Sequence, residues 1–232
     1  MDQLFHAVAI DGPSGAGKST LARRVARELH FLYVDTGAIY RSIGWYVLQR
    51  GAALDNAELV AALLPDLNVE VRYGEDGLQH MVVNGQDVTD EIRSPEVSAA
   101  ASQVAAIPAV RAYLLDMQRK LARENDVIMD GRDIGTVVLP QADLKIFLTA
   151  TAQDRARRRY EELVERGQQV DQAQILREVM ERDERDIHRQ TAPLRQAEDA
   201  VAVDTTGNSL EESYRQLLEV VREKFQRMEE RT

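Results

Sequence analysis

Short apolar runs and amphipathic stretches alternate along most of the chain. The apolar runs predict β-strands at His6–Ile10, Leu32–Val34, Asn68–Tyr73, Met81–Val83, Val127–Met129, Leu144–Leu148 and Ala200–Val203. Helical spacing predicts α-helices at Lys18–Leu29, Pro95–Ala105, Ala109–Arg123, Gln153–Arg166 and Gln172–Ile187. Another helix is predicted after Asp35-Thr36-Gly37 and ends at about Gln49. The last predicted helix begins at a capping box of Ser209 and Glu212 and ends at about Met228. Strands that lead directly into helices predict a parallel sheet covered on both faces, so we expect a three-layer α/β fold.

The segment at about 64–93 breaks this rhythm. Its strands are short and separated by polar and glycine-rich turns, and Asn84-Gly85 is a strong hairpin signal. We therefore expect a small antiparallel, β-rich insert here. It would lie within a single domain of residues 1–232 whose core is formed by 1–63 and 94–232.

Composition and charge narrow the possible partners. The formal net charge is −10, which disfavours binding to a nucleic-acid backbone, and the chain contains no cysteine. Disulfides, thiolate metal sites and cysteine nucleophiles are therefore excluded. The N-terminal residues 1–3 lead straight into a strand without a signal-peptide pattern, and no apolar stretch is long enough to cross a bilayer. We expect a cytoplasmic monomer that binds neither nucleic acid nor a membrane.

A glycine-rich turn between the first strand and the first helix matches the pattern G-x-x-x-x-G-K-[ST]. The residues, extended by one, are Gly12, Pro13, Ser14, Gly15, Ala16, Gly17, Lys18, Ser19 and Thr20. In this context the motif predicts a phosphate loop, whose backbone N–H groups and helix N-terminus bind the phosphates of a nucleoside triphosphate. We expect Lys18 to be an exposed loop residue that reaches the transferred phosphate, and the Ser19 hydroxyl to be a ligand of Mg²⁺.

Two further turns place arginines and carboxylates at the carboxyl ends of predicted strands. Asp35-Thr36-Gly37-Ala38-Ile39-Tyr40-Arg41 follows the second strand, and Asp130-Gly131-Arg132-Asp133 follows a later one. In a parallel sheet these ends lie beside the phosphate loop, and arginine binds phosphate bidentately. The alternative is a pair of helix-capping aspartates with surface arginines.

Arg155, Arg158 and Arg159 share one face of a predicted helix. Because that helix also carries several glutamates, it could be a solvated charged face. In a phosphoryl-transfer enzyme the same cluster predicts a mobile lid at about 153–170. Its arginines would stand away from the phosphates without ligands and approach them on closure.

The whole chain resembles the bacterial cytidylate kinases, a family of nucleoside monophosphate kinases. The segments that carry the resemblance are the phosphate loop, 35–41, 101–105, 130–136 and 182–194. The resemblance implies a P-loop kinase with a central parallel sheet, an acceptor-binding insert and a short lid. Position 19 is serine where many relatives carry glycine, and Thr36 stands where serine is frequent.

The resemblance also implies roles for individual residues. Arg41 and Arg132 would bind the phosphate of the acceptor, and the lid would supply the three arginines named above. The remaining acceptor-binding residues would be Asp35 and Thr36 in the first turn, Ser102, Arg111 and Asp133 around the cytosine, Tyr40, Arg182 and Asp186 around the ribose, and Arg189 near the phosphates.

We therefore expect Mg²⁺-dependent transfer of the γ-phosphoryl group of ATP to CMP or dCMP. One alternative is a P-loop kinase for another small acceptor, such as a sugar or a shikimate-like acid, for which a general base would be expected. A second alternative is a regulatory module in which ATP binding switches the contacts of the insert. A GTPase is disfavoured because Asp204-Thr205-Thr206-Gly207 is a weak match and no N-K-x-D segment is present.

Overall fold

The structure is a computed structural model that describes residues 5–75 and 77–230. Residues 1–4, Asp76 and 231–232 lie outside the described residues. The predicted domain ranges include them, and the prediction that no signal peptide is present rests on residues 1–3. The chain forms two compact units. The first unit contains the residues up to Tyr33 and from Asn125 onward, and the second is Val34–Glu124.

The predicted strands and helices are present in the predicted order, and the described residues form one further strand and one further helix. The strands are β1 (Ala7–Asp11), β2 (Leu32–Asp35), β3 (Val69–Tyr73), β4 (Gln79–Val83), β5 (Gln86–Asp87), β6 (Val127–Gly131), β7 (Leu144–Thr149) and β8 (Val201–Asp204). The helices are α1 (Lys18–Leu29), α2 (Thr36–Gln49), α3 (Ala57–Leu63), α4 (Pro95–Val104), α5 (Pro108–Glu124), α6 (Ala152–Glu165), α7 (Gln172–His188) and α8 (Leu210–Glu229). Short 3₁₀ turns cover Leu64–Asp66 and Glu91–Arg93, and a π-helical turn covers Ile134–Val138.

A five-stranded sheet with the order β2-β6-β1-β7-β8 forms the centre of the fold. The central strand β1 pairs in parallel with β6 on one side and with β7 on the other, and β7 pairs in parallel with β8. On one face, Val8 and Ile10 of β1 pack in a buried cluster with residues of α1 and α8. Ala9 and Met129, which point to the opposite face, are also fully buried. The predicted parallel sheet with both faces covered is confirmed.

The second unit contains the predicted antiparallel structure. β3, β4 and β5 form a three-stranded sheet, and Asn84 and Gly85 both have positive φ, as a two-residue hairpin turn requires. Helix α3 is not among the predicted helices, because it is short and buries only Val60. The predicted insert 64–93 is a smaller range than the compact unit, and its limits as a functional module stay a prediction.

Helix ends follow local chemistry. The capping box of Ser209 and Glu212 is present at the start of α8, and Pro108 begins α5 after the predicted break. Among the described residues, no helix has both the length and the apolar character needed to span a membrane.

Candidate active site

The phosphate loop leaves β1 through a backbone that only glycine allows. Gly12 has φ of +151°, and a Cβ built there would lie 1.9 Å from the carbonyl oxygen of Leu148 in β7. The loop ends at Gly17, the left-handed residue before α1, and Lys18 is the first residue of that helix. The free N–H groups at the start of α1 therefore belong to the loop, which is the arrangement that binds phosphate.

Lys18 is buried rather than exposed, which corrects the expectation from the sequence. The residue is 5% exposed, and Nζ donates to the carbonyl oxygen of Pro13 over 2.8 Å. Burial and, next, the charge of Arg132 lower the pKa of Lys18 to about 7, although Asp130 and Asp11 act in the opposite direction. The ammonium group is thus held inside the loop, close to other cationic groups, where added negative charge would stabilise it.

The hydroxyl of Ser19 is held by a carboxylate at the end of β6. Ser19 Oγ donates to Asp130 Oδ2 over 2.9 Å, and Tyr33 Oη donates to the other oxygen, Oδ1, over 2.8 Å. Oxygen donors of this kind suit Mg²⁺, which takes few ligands from the protein and the rest from phosphate and water. Ser19 and Asp130 are oxygen donors at the start of α1 and the end of β6, and they fit a Mg²⁺ ion that takes its other ligands from phosphate and water.

The segment after β6 presents an arginine and an aspartate that are each held by a partner. Arg132 Nε donates to Asp186 Oδ2 over 2.8 Å. The buried Asp133 accepts from Arg189 Nη2 over 3.3 Å. Burial alone would raise the pKa of Asp186, but Arg132, and then Arg182 and Arg189, hold that pKa below its ordinary value. These residues form one charged cluster of the first unit, and the electrostatic influence of Arg132 and Arg182 extends to Lys18.

Arg155 packs directly against the phosphate loop. Its Nη1 donates to the carbonyl oxygen of Ser14 over 2.8 Å, and its guanidinium forms a bidentate pair with Asp183 over 3.1 and 2.5 Å. Nε donates to the carbonyl oxygen of Ala150. With 4% exposure, Arg155 is fixed by three different segments. The expectation that it stands away from the loop without ligands is therefore wrong.

Arg158 and Arg159 have different environments from Arg155, so the three arginines do not converge. Arg158 Nη2 donates to the carbonyl oxygen of Thr205 over 2.5 Å and pairs with Asp154 over 2.7 Å. Arg159 forms an exposed pair with Glu162. Of the three, Arg155 is the one that hydrogen-bonds to the phosphate loop.

The second unit holds its own group of predicted residues. Asp35 caps α2 by accepting from the amide of Ala38, and its other oxygen accepts from Arg41 Nη2 over 2.9 Å. Arg41 Nε is buried and has no hydrogen-bond partner among the described residues. Arg111 lies over the ring of Tyr40 at 5.6 Å and donates to the carbonyl oxygen of Ala105. Arg41 therefore has an unused donor of the kind that a phosphate would satisfy.

Thr36 is buried in the first turn of α2, and Ser102 is half-buried on α4. Neither position contradicts the predicted role, and both roles stay predictions.

Sequence comparison decides the family. A sequence model of the cytidylate kinase family matches residues 8–223. The chain belongs to the cytidylate kinase family. It is 48% identical over 214 residues to the cytidylate kinase of Carboxydothermus hydrogenoformans, covering 92% of this chain and 96% of that one. It is 47% identical over 217 residues to the cytidylate kinase of Geobacter sulfurreducens, covering 94% and 93%.

The fold is also found in an uncharacterised protein from Eubacterium ventriosum. That crystal structure aligns with a TM-score of 0.51 and 11% identity, and it covers 93% of this chain and 98% of the other. At this low identity the match concerns only the fold, and it agrees with the three-layer α/β fold of this cytidylate kinase family member.

Some residues of this family member are not among the predicted site residues. Asp11 accepts two backbone N–H groups beside the phosphate loop, and Asp183 holds Arg155. Asp130 belongs to a predicted turn, but the sequence does not identify it as the partner of Ser19. Asp11 and Asp130 each stand at the carboxyl end of a central strand, a position that could have marked them. Nothing in the sequence of α7 distinguishes Asp183 from its acidic neighbours.

Proposed function

We propose that this chain transfers the γ-phosphoryl group of ATP to CMP or dCMP, which gives ADP and CDP or dCDP. The observation that carries the proposal is the cationic cluster around Lys18. The phosphate loop holds a buried lysine whose pKa is lowered to about 7 by burial and by the charge of Arg132, which lies on the segment after β6. Negative charge from two nucleotides would relieve the repulsion between these groups. Membership of the cytidylate kinase family supports ATP and CMP or dCMP as the two nucleotides.

The donor would bind through the phosphate loop. The N–H groups at the start of α1 and the Lys18 ammonium would hold the β- and γ-phosphates, and Arg155 would keep the loop in shape through the carbonyl oxygen of Ser14. Ser19, with Asp130 behind it, would hold Mg²⁺. A bound Mg²⁺ ion neutralises the charge that develops on the phosphate oxygens.

The acceptor would bind through arginines, carboxylates and hydroxyl groups. Arg41 and Arg132 would bind its phosphate, Ser102, Arg111 and Asp133 its base, and Tyr40, Arg182 and Asp186 its ribose, with Arg189, Asp35 and Thr36 supporting them. The unused Nε of Arg41 and the ion-paired Asp133 support this arrangement. A carboxylate placed against an exocyclic amino group disfavours a base that lacks that donor.

No general base is needed for the transfer. An oxygen of the acceptor phosphate is already anionic, so it attacks the γ-phosphorus directly while the bond to the oxygen of ADP breaks. Asp35 and Asp133 are occupied by arginine partners, which favours orienting roles over proton transfer. Lys18 and the arginines would neutralise the transferred charge, and Arg158 and Arg159 would join them on closure of a lid at about 153–170.

We also propose that the chain works as a monomer in the cytoplasm. The predicted site residues all come from one chain, and the absence of cysteine agrees with a reducing compartment. Sedimentation equilibrium with and without nucleotides would reveal a dimer if one forms.

The deciding experiment is an acceptor panel. The protein is incubated with ATP and Mg²⁺ and with CMP, dCMP, UMP, AMP, GMP, shikimate or gluconate in turn, and ADP release is measured. Fast release with CMP and dCMP, and slow release with the others, is expected. Fast release with a neutral-hydroxyl acceptor would favour a different small-acceptor kinase, and no release with any acceptor would favour a regulatory ATP-binding module.

A further inference from the structure

Asp11 is the last residue of β1 and directly precedes the phosphate loop. The residue is 5% exposed. Oδ1 accepts from the backbone N–H of Ile134 over 2.8 Å, and Oδ2 accepts from that of Gly135 over 2.7 Å. Both oxygens are thus engaged by one short segment that lies 123 and 124 positions further along the chain.

The segment that Asp11 holds cannot satisfy these N–H groups by itself. Ile134 begins the π-helical turn, and the first N–H groups of any helical turn have no acceptor within it. The preceding residue, Asp133, makes no side-chain capping hydrogen bond. Asp11 therefore acts as a cap supplied from another strand, and its charge strengthens both hydrogen bonds.

Asp11 is the fixed partner in this contact. It lies opposite Gly131 in β6 and Phe147 in β7, so its backbone is held from both sides by the sheet. A Cβ built on Gly135 would lie 3.1 Å from Cδ of Lys145 and 3.4 Å from Asp11 Oδ2. The space beside Gly135 is thus filled by Asp11 and the stem of Lys145. If the hydrogen bonds were lost, the turn would shift and the strand would not.

We propose that Asp11 is a positioning residue for the acceptor. By anchoring Ile134 and Gly135, it sets the backbone direction of Arg132 and Asp133, which immediately precede them. The side chains of those two residues are already held by Asp186 and Arg189. Asp11 contributes the position of their backbone. The inference rests on the proposed function, because it takes Arg132 and Asp133 to bind CMP.

The burial of this carboxylate opposes folding. Burial and, to a smaller extent, the charge of Asp133 raise the pKa of Asp11 to about 6, because the two backbone hydrogen bonds offset only part of the loss of hydration. At neutral pH the group is ionised at a cost in stability. Such a cost agrees with a residue kept for a site and not for the fold, and it means that an amide in its place should still fold.

The test uses Asp11→Asn, in which one oxygen still accepts while an NH₂ group faces the other backbone N–H. Loss of one charge-assisted hydrogen bond should raise the KM for CMP about tenfold. The ATP dissociation constant without CMP should stay within about twofold, since the loop leaves a strand that does not move. The lost charge of Asp11 acts on the Lys18 ammonium and on the bound phosphates in opposite directions. The preference for CMP over UMP should fall, and the amide proton resonances of Ile134 and Gly135 should shift upfield.

Asp143→Asn is the matched control. Asp143 Oδ2 accepts from the backbone N–H of Ala7 over 2.9 Å, which is the same kind of contact at the opposite end of β1. This variant should leave both Michaelis constants and the base preference unchanged.

Three results would overturn the inference. They are a wild-type KM for CMP in Asp11→Asn despite shifted amide resonances, an equal loss of ATP and CMP affinity, and the same kinetic change in the Asp143 control. Failure of the proposed function looks different, because the wild-type protein itself would then not phosphorylate CMP, while the amide shifts would still report the Asp11 contact.

Discussion

Arg132 Nε donates to Asp186 Oδ2 over 2.8 Å, and the side chain of Asp186 is only 8% exposed. The guanidinium is therefore fixed on one edge by a buried carboxylate, while Nη1 donates to the carbonyl oxygen of Gly131 over a longer 3.3 Å. An arginine held in this way is oriented before a phosphate arrives, which reduces the entropy lost on binding.

Replacing Arg132 with Met should weaken acceptor binding and slow transfer together. We expect kcat/KM for CMP to fall at least about hundredfold, because a bidentate phosphate contact acts in the ground state and in the transition state. The affinity for ATP without acceptor should barely change. Steady-state kinetics and calorimetric titration with ATP would measure both. A loss of ATP binding with normal CMP binding would contradict the assignment.

The same variant should also be less stable by about 1–3 kcal/mol, because the buried carboxylate of Asp186 loses its ion pair with Arg132. The pKa of Asp186 is lowered in the folded chain, so its stabilising effect is present above the ordinary carboxyl pKa and is lost as the pH falls through the lowered value. In Arg132→Met this acid-labile part should shrink. Arg222→Met, which removes an exposed pair with Glu28, is the control and should change stability by less than about 0.5 kcal/mol.

Lys18→Met should abolish transfer and stabilise the ligand-free protein. Burial and nearby arginine charge lower the pKa of Lys18, which means that its ammonium form opposes folding. Removing it should raise the free energy of unfolding by about 1–3 kcal/mol after the lost hydrogen bond to Pro13 is counted. Urea unfolding in parallel with an ADP-release assay tests both halves. Equal or lower stability would contradict the buried, repelled ammonium.

The stabilisation should depend on pH with a defined sign. Between about pH 7 and the ordinary lysine pKa of 10.5 the unfolded chain holds a proton that the folded chain has released, so wild-type stability rises with pH in this window. The advantage of Lys18→Met should therefore be largest at pH 7 and below and disappear towards pH 10.5. A difference that stays constant across this range would contradict the lowered pKa.

Asp183→Asn should disturb the ATP site through Arg155. The bidentate pair holds a guanidinium whose Nη1 supports the carbonyl oxygen of Ser14 in the phosphate loop. We expect the KM for ATP to rise about fivefold and the KM for CMP to change less than about twofold. Glu223→Gln, which breaks the exposed pair with Arg227 on α8, is the control. Equal effects on both substrates would indicate general loosening of the fold.

Much of the first unit can be predicted from the sequence because its signals are local. The predicted bounds of α1 match the structure to the residue, since the loop motif fixes its start and the apolar spacing fixes its length. The π-helical turn at Ile134–Val138 cannot be predicted in this way, because its acceptors come from Asp11, more than a hundred residues away. Likewise, Arg155, Arg158 and Arg159 look alike in sequence. Only the fold shows that Arg155 meets the buried side of the loop while the others meet Thr205 and Glu162.

Arg158 provides the remaining prediction, which concerns the proposed lid. Its guanidinium now contacts Thr205 and Asp154, and its side chain is 25% exposed, so it must release these partners to reach a phosphate. Replacing Arg158 with Ala should lower kcat about hundredfold while the affinity for CMP without ATP stays within about twofold. A bisubstrate analogue that joins both nucleotides should slow amide hydrogen exchange at 153–167 in the wild-type protein.

A purely structural role for Arg158 makes the opposite prediction. Its donation to the carbonyl oxygen of Thr205 would then fix the turn between β8 and α8, and Arg158→Ala would lower the melting temperature with little change in kcat per folded molecule. Arg158→Lys separates the two cases, because lysine restores the charge but not the planar group that contacts both Thr205 and Asp154. Partial recovery of kcat without recovery of the melting temperature supports the lid. Unchanged exchange at 153–167 together with an intact kcat would mean that α6 is a static charged helix.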